Sequence, residues 1–200
     1  MNLKLHHARF LFTELQRPLN LHEPHNELSD FDTRFRLILR KHLVVLCWWS
    51  ILNIVGGVFA VCCLDGVYYY FWMMGLVWGL INFAITMAIF NHTFYKKFNR
   101  GNSFERFEAQ RHVEKIMFLN IGIDTAYIFA GLLLREHSFV SGVFPADLWL
   151  GFGWSVMVQG VFLLIQDVQV YRLHRRNFCK AQPFLEQLLD KDGSYRGPVI

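Results

Sequence analysis

The sequence predicts an all-α protein, a bundle of four transmembrane helices with both termini on the cytoplasmic side. Three observations predict it. Four stretches of about 20 residues or more carry almost no charge, the length a helix needs to cross a bilayer. Lys and Arg gather at one end of those stretches. Each stretch also carries a stripe of small and polar residues at helical spacing.

The stretches are 43–64 and 69–91, with no charge at all, 116–134, with only Asp124, and 148–170, with only Asp167. A helix rises ~1.5 Å per residue and must cover roughly 30 Å of hydrocarbon. In lipid only a helix or a closed barrel satisfies every backbone polar group. The stretches lack the alternation of barrel strands and are too long for them, so they are helices. Composition alone is indecisive, since a 54% apolar fraction is compatible with a soluble domain. A chain of 200 residues, however, has too little interior to bury four such helices in water.

Charge sets the orientation. Nineteen of the 20 Lys and Arg residues lie before the first stretch, between the second and third, or after the fourth. Arg135 alone lies in the other two connections. Basic loops stay in the cytoplasm, so both termini are expected there, beside anionic lipid headgroups. The +4 net charge is thereby explained by topology, and no nucleic-acid motif accompanies it. No secretory signal is expected, because charges run through the first 40 residues. The four cysteines have no zinc-like spacing and read as small packing residues.

Three regions follow. Residues 1–41 form a cytoplasmic lead, in which Leu5, Ala8, Phe12 and Leu15 share one face of an amphipathic surface helix. Pro18 and Pro24 break it, and Ser29 with Asp32 resembles a capping box that starts the next helix. Residues 42–177 form the membrane domain. Its first outer loop is short, Asp65–Tyr68, and its inner loop turns at Gly101-Asn102 before Ser103 caps a helix running into the third span. Tyr171–Asn177 extends the fourth helix, and 178–200 is a cytoplasmic tail whose end, Asp190–Ile200 with Gly193, Gly197 and Pro198, is predicted to be disordered. The two hairpins read as a possible diverged parallel repeat. A shift of 76 positions matches Gly75 with Gly151, Trp78 with Trp154 and Asn91 with Asp167. Chance in a biased composition remains the competing explanation.

The polar stripes are Trp49, Asn53, Gly56 and Ala60; Gly75, Gly79, Asn82 and Thr86; Asn120, Asp124, Tyr127 and Gly131; and Gly151, Ser155, Gln159, Phe162 and Gln166. Steps of three and four place each set on one helix face. Small residues let helices approach and polar ones bond across them, so these faces point inward. Gly75, Gly79, Gly131, Gly151 and Ser155 are the expected packing positions. Leu43, Val44, Ile85, Ile128 and Leu163 are expected to face lipid. Asn53, Asn82, Asp124 and Gln159 fall near mid-span and predict one central polar layer. An ionised Asp there costs ~2.5–3.5 kcal/mol on insertion scales and must be partnered or protonated. One reading makes Asp124 a proton or cation site with Asn53, Asn82, Asn120 and Gln159 around it. The other makes the whole layer interhelical glue, worth only ~0.6 kcal/mol per bond.

His42, His92, His112 and His174 lie at the cytoplasmic edge of the four spans. Histidine is the commonest metal ligand and an axial haem ligand. The spacing of zinc or di-iron motifs is missing, so interfacial side chains are the simpler account, and no cofactor is predicted. Nucleophile-elbow, P-loop, dinucleotide and H-E-x-x-H motifs are missing too, which points away from an enzyme.

Gly151-Phe152-Gly153-Trp154, Gln159-Gly160, Gln166-Asp167 and His174-Arg175-Arg176-Asn177 resemble uncharacterised four-helix membrane families of bacteria. The resemblance implies a multi-pass protein of the bacterial cytoplasmic (inner) membrane and no particular chemistry. Three functional expectations result. The first is a non-enzymatic bundle assembling with itself or other membrane proteins. Behind it stand a small proton- or cation-coupled transporter or channel unit using Asp124, and a haem or metal redox protein using the edge histidines.

Overall fold

The computed structural model describes residues 24–91, 103–138 and 145–191. Among them it is all-helical, with α1 (Pro24–Cys63), α2 (Gly66–Phe90), α3 (Ser103–His137) and α4 (Ala146–Lys191). All four are long and apolar enough to cross a membrane, as in a multi-pass membrane protein. The amphipathic segment read over Leu5–Leu15, the Gly101-Asn102 turn and the end of the tail lie outside the described residues.

Several boundaries differ from the sequence reading. α1 starts at Pro24, five residues before the capping box read at Ser29. Proline suits a first helical position, where its missing N–H costs no bond. Asp32 instead accepts from Arg106 at 2.9 Å. The connection between α1 and α2 is only Leu64 and Asp65, with α2 beginning at Gly66 rather than after Tyr68. Gly66 has φ 61°, which glycine adopts without strain, and this lets the chain reverse in so few residues. α4 continues past Asn177 to Lys191 and tolerates Pro183 within it.

The described chain divides into two compact units. The apolar unit comprises 40–91, 115–138 and 145–170, and the terminal unit 24–39, 103–114 and 171–191.

In the apolar unit the usual arrangement is reversed. Asn53, Asn82, Thr86, Asp124, Ser155, Gln159, Gln166 and Asp167 are buried, whereas Trp48 is 64% and Leu133 71% exposed. In α2 the buried residues are Gly75, Gly79, Asn82 and Thr86, the stripe read from the sequence. Glycine sets the helix spacing. A Cβ at Gly79 would lie 3.0 Å from Asn53 Cβ and from the Ser50 carbonyl of α1. One at Gly131 of α3 would lie 2.6 Å from the Gly153 carbonyl of α4. Val44 and Ile85 face outward as expected, but Leu43 is only 1% exposed, so the prediction for it fails. Leu43 and His42 are neighbours on the side of α1 that turns inward. Cys62, Cys63 and Cys179 are exposed, so only Cys47 has a partly packed environment.

The terminal unit has a conventional core. Phe31, Phe107, Ala181 and Phe184 are buried together, with Phe178 and Leu185 packed against them.

Candidate functional site

The mid-span polar residues all turn inward, but their hydrogen bonds separate them into two sets. The first joins α1 to α4. Trp49 Nε1 donates to Gln159 Oε1 at 2.7 Å, and Gln159 Nε2 donates to Asn53 Oδ1 at 2.6 Å. Asn53 Nδ2 closes the loop on the Trp49 carbonyl at 2.8 Å. The Trp49 ring stacks on Phe162, with centroids 3.8 Å apart. No member ionises in the physiological range, and both side-chain oxygens have donors. This set ties helices together.

The second set carries the charge. Asp124 on α3 is 4% exposed, and its Oδ2 has no hydrogen-bond partner. Asp167 on α4 is equally buried. Asn120, one turn before Asp124, hydrogen-bonds Asp167. His42 on α1 places Nδ1 4.0 Å from Asp167 Oδ1. Gln166 Nε2 donates to the His42 carbonyl at 2.9 Å and lies 3.0 Å from His42 Nδ1. Asn82 Nδ2, Ser155 Oγ and Gln166 Oε1 are also buried without partners.

Thus Asn53 and Gln159 bond to each other and to Trp49, while Asn120 serves Asp167. The sequence reading had placed all three around Asp124. In the sequence Asp167 stands as the single charge of the fourth stretch and His42 as one of the edge histidines, with nothing to link them. What joins them is the register of the antiparallel helices. The Gly131–Gly153 contact puts Asn120 level with Asp167, a relation that periodicity within one helix does not contain.

The edge histidines do not form one set. His42 belongs to the apolar unit and His174 to the terminal unit, where it is buried with its ring 5.3 Å from Phe35. His112 is exposed, and His92 lies outside the described residues. Among the described residues, no group of three or more His, Cys, Asp or Glu side chains is placed to hold a metal ion.

The terminal unit contains a polar network that sequence reasoning missed. Arg34 Nε donates to Asn177 Oδ1 at 2.7 Å, and Asn177 Nδ2 donates to Gln110 Oε1 at 2.7 Å. Gln110 Nε2 donates to the His174 carbonyl at 2.7 Å. Arg34, Gln110, His174 and Asn177 are all buried.

The matched positions of the two hairpins differ in environment. Trp78 meets the edge of Tyr127, whereas Trp154 carries the Arg135 guanidinium 4.1 Å from its ring centroid. Asn91 is exposed and Asp167 buried.

Four long apolar helices with buried carboxylates between them define a class, the multi-pass helical membrane protein of unknown activity. The chain belongs to the family of unknown function DUF6992, which matches residues 45–168. That range includes Asn53, Asn82, Asp124, Gln159 and Asp167, and begins just after His42. No curated protein and no solved structure matches the chain significantly.

Proposed function

We propose that the protein is a small proton-coupled transporter or channel unit whose titrating site is Asp124. It would sit in a bacterial cytoplasmic membrane with both termini inside, its basic ends against anionic lipid headgroups. The observation that carries the reading is the Asp124 Oδ2 atom, buried and unpartnered. A side chain kept as glue would spend its oxygens on interhelical bonds, as Gln159 and Asn53 do. A buried carboxylate without a partner takes up a proton or a cation instead. A dehydrated metal cation needs several oxygen ligands, and the Gln159 and Asn53 oxygens are already engaged.

The test is proton flux into proteoliposomes under an imposed membrane potential, read with an internal pH dye. Wild type should conduct, and Asp124→Asn, which keeps shape but not the acid, should not. Equal flux in both, or none in wild type, contradicts the reading.

A second reading, assembly with another copy or another membrane protein, draws on the outer side of α3. Gly122, Ala126 and Ala130 are exposed there at four-residue steps, and nothing lies within 4 Å of a Cβ at Gly122. Small residues at that spacing let helices approach closely. Oligomeric state in mild detergent tests it: Gly122→Leu should dissociate the assembly, and a strictly monomeric wild type contradicts it.

A further inference from the structure

The loop end of the α3–α4 hairpin carries one Lys or Arg. It is Arg135, in the last turn of α3, and neither of the two outer connections holds another. Its backbone is fixed, because the Arg135 carbonyl accepts from the Ser138 N–H at 3.1 Å and from Ser138 Oγ at 2.6 Å. Its stem lies across α4. A Cβ at Gly153 would come 2.7 Å from Arg135 Cγ, so glycine leaves the room for it. The guanidinium carbon sits over the Trp154 ring, 4.1 Å from its centroid and within cation–π range. Two adjacent residues of α4 thus seat the stem and the head.

The donors of that head are left open. Among the described residues no carboxylate pairs with Arg135, and none of its guanidinium N–H groups meets an acceptor. Nε is enclosed, whereas the Nη groups are not. Acids are at hand in the same connections, yet Asp65, Glu136 and Asp147 are all exposed and none of them pairs with it. The dipole of α3 favours any cation in its last turn. It does not call for a planar one laid on a tryptophan over a glycine. A part-buried guanidinium without a counter-charge is costly. The counter-charge therefore comes from outside the chain.

We infer that Arg135, Gly153 and Trp154 form a binding site for a phosphodiester, the headgroup of a membrane lipid at the loop end of this hairpin. The two Nη groups donate to two oxygens of one phosphate, the bidentate fit of a planar guanidinium. Trp154, 42% exposed, and Trp149 stand in the first turns of α4, and tryptophan at a helix end marks the headgroup level of a bilayer. Phosphate is the anion that a bilayer supplies at that depth. The exposed carboxylates of the same connections disfavour a multiply charged anion. They suit a phosphodiester, with its single negative charge, and above all one that also carries an ammonium, as phosphatidylethanolamine does. The site draws on neither Asp124 nor the basic segments near the termini.

The experiment titrates the full chain in mild detergent with dioleoylphosphatidylethanolamine and reads the affinity for the first retained lipid by native mass spectrometry. Arg135→Met should weaken it roughly ten- to hundredfold, the loss of a charge-assisted bond. Arg135→Lys keeps the charge, the stem and the contact with Trp154 but not the fork, and should weaken it several-fold. Dioleoylglycerol, which lacks the phosphodiester, should not be retained by the wild type. A large excess of inorganic phosphate should leave the lipid in place. Wild-type affinity in Arg135→Met or in Arg135→Lys overturns the site. Retention of dioleoylglycerol overturns it too, because the acyl chains then suffice. Displacement of the lipid by inorganic phosphate makes free phosphate the occupant and overturns the assignment to a headgroup.

Discussion

The side chains of Gln159 and Asn53 meet in a 2.6 Å hydrogen bond although 106 residues separate them in the chain. Gln159 also accepts from Trp49, so one amide bridges two positions of α1. Bonds of this kind inside membranes are worth ~0.6 kcal/mol on average and up to about 1.7. A double-mutant cycle with Asn53→Ala and Gln159→Ala should give a coupling energy in that range. Reversible unfolding in mixed micelles measures it. Strict additivity would show that the bond contributes nothing.

Glycine at the α3–α4 crossing predicts a contrast. A Cβ at Gly131 would lie 2.5 Å from Met157 Cγ and 2.6 Å from the Gly153 carbonyl. Gly131→Ala should therefore cost about 1–3 kcal/mol, because backbone as well as side chain must move. At Gly122 a Cβ meets nothing within 4 Å, so Gly122→Ala should be neutral or stabilise by up to about 1 kcal/mol. The same unfolding assay ranks the two, and equal effects would contradict the packing described.

Asn177 holds the polar network of the terminal unit. Asn177→Leu removes the partners of Arg34 Nε and Gln110 Oε1 together, both inside a buried layer. Losing these buried hydrogen bonds should cost about 1–3 kcal/mol. Limited trypsin digestion of the full chain should then cut at Arg34 or Arg36, where the wild type resists. Unchanged digestion would show that the layer is dispensable.

Orientation gives a fourth expectation. Reporter tags at the two termini should both stay shielded from an impermeant reagent added outside cells, and a tag between Arg135 and Asp147 should react. Termini on opposite sides would contradict the assignment from Lys and Arg.

Much of the helical layout was legible in the sequence, because lipid-spanning length and a repeat of three or four residues are both properties of a single helix. Gly75, Gly79, Asn82 and Thr86 were readable as one face, and they are the buried residues of α2. The contacts of that face were not readable. Whether Asn120 meets Asp124 or Asp167 depends on the sliding register of α3 against α4, which glycine contacts set and no periodicity encodes. Leu43 shows the same limit, an apolar side chain whose face was ambiguous until the packing of α1 was known. The Arg34–Asn177 bond joins positions 143 residues apart in the chain, a pairing that no local spacing encodes.

The most direct test of the central claim is chemical labelling of Asp124. An apolar carbodiimide in the bilayer reacts with a carboxyl that carries a proton and spares an ionised one. Proteolysis and mass spectrometry of the reconstituted protein should find the adduct on Asp124, with labelling that falls as pH rises and flux that falls as labelling proceeds. An Asp124 that stays unlabelled at every pH, while the flux persists, would contradict the account.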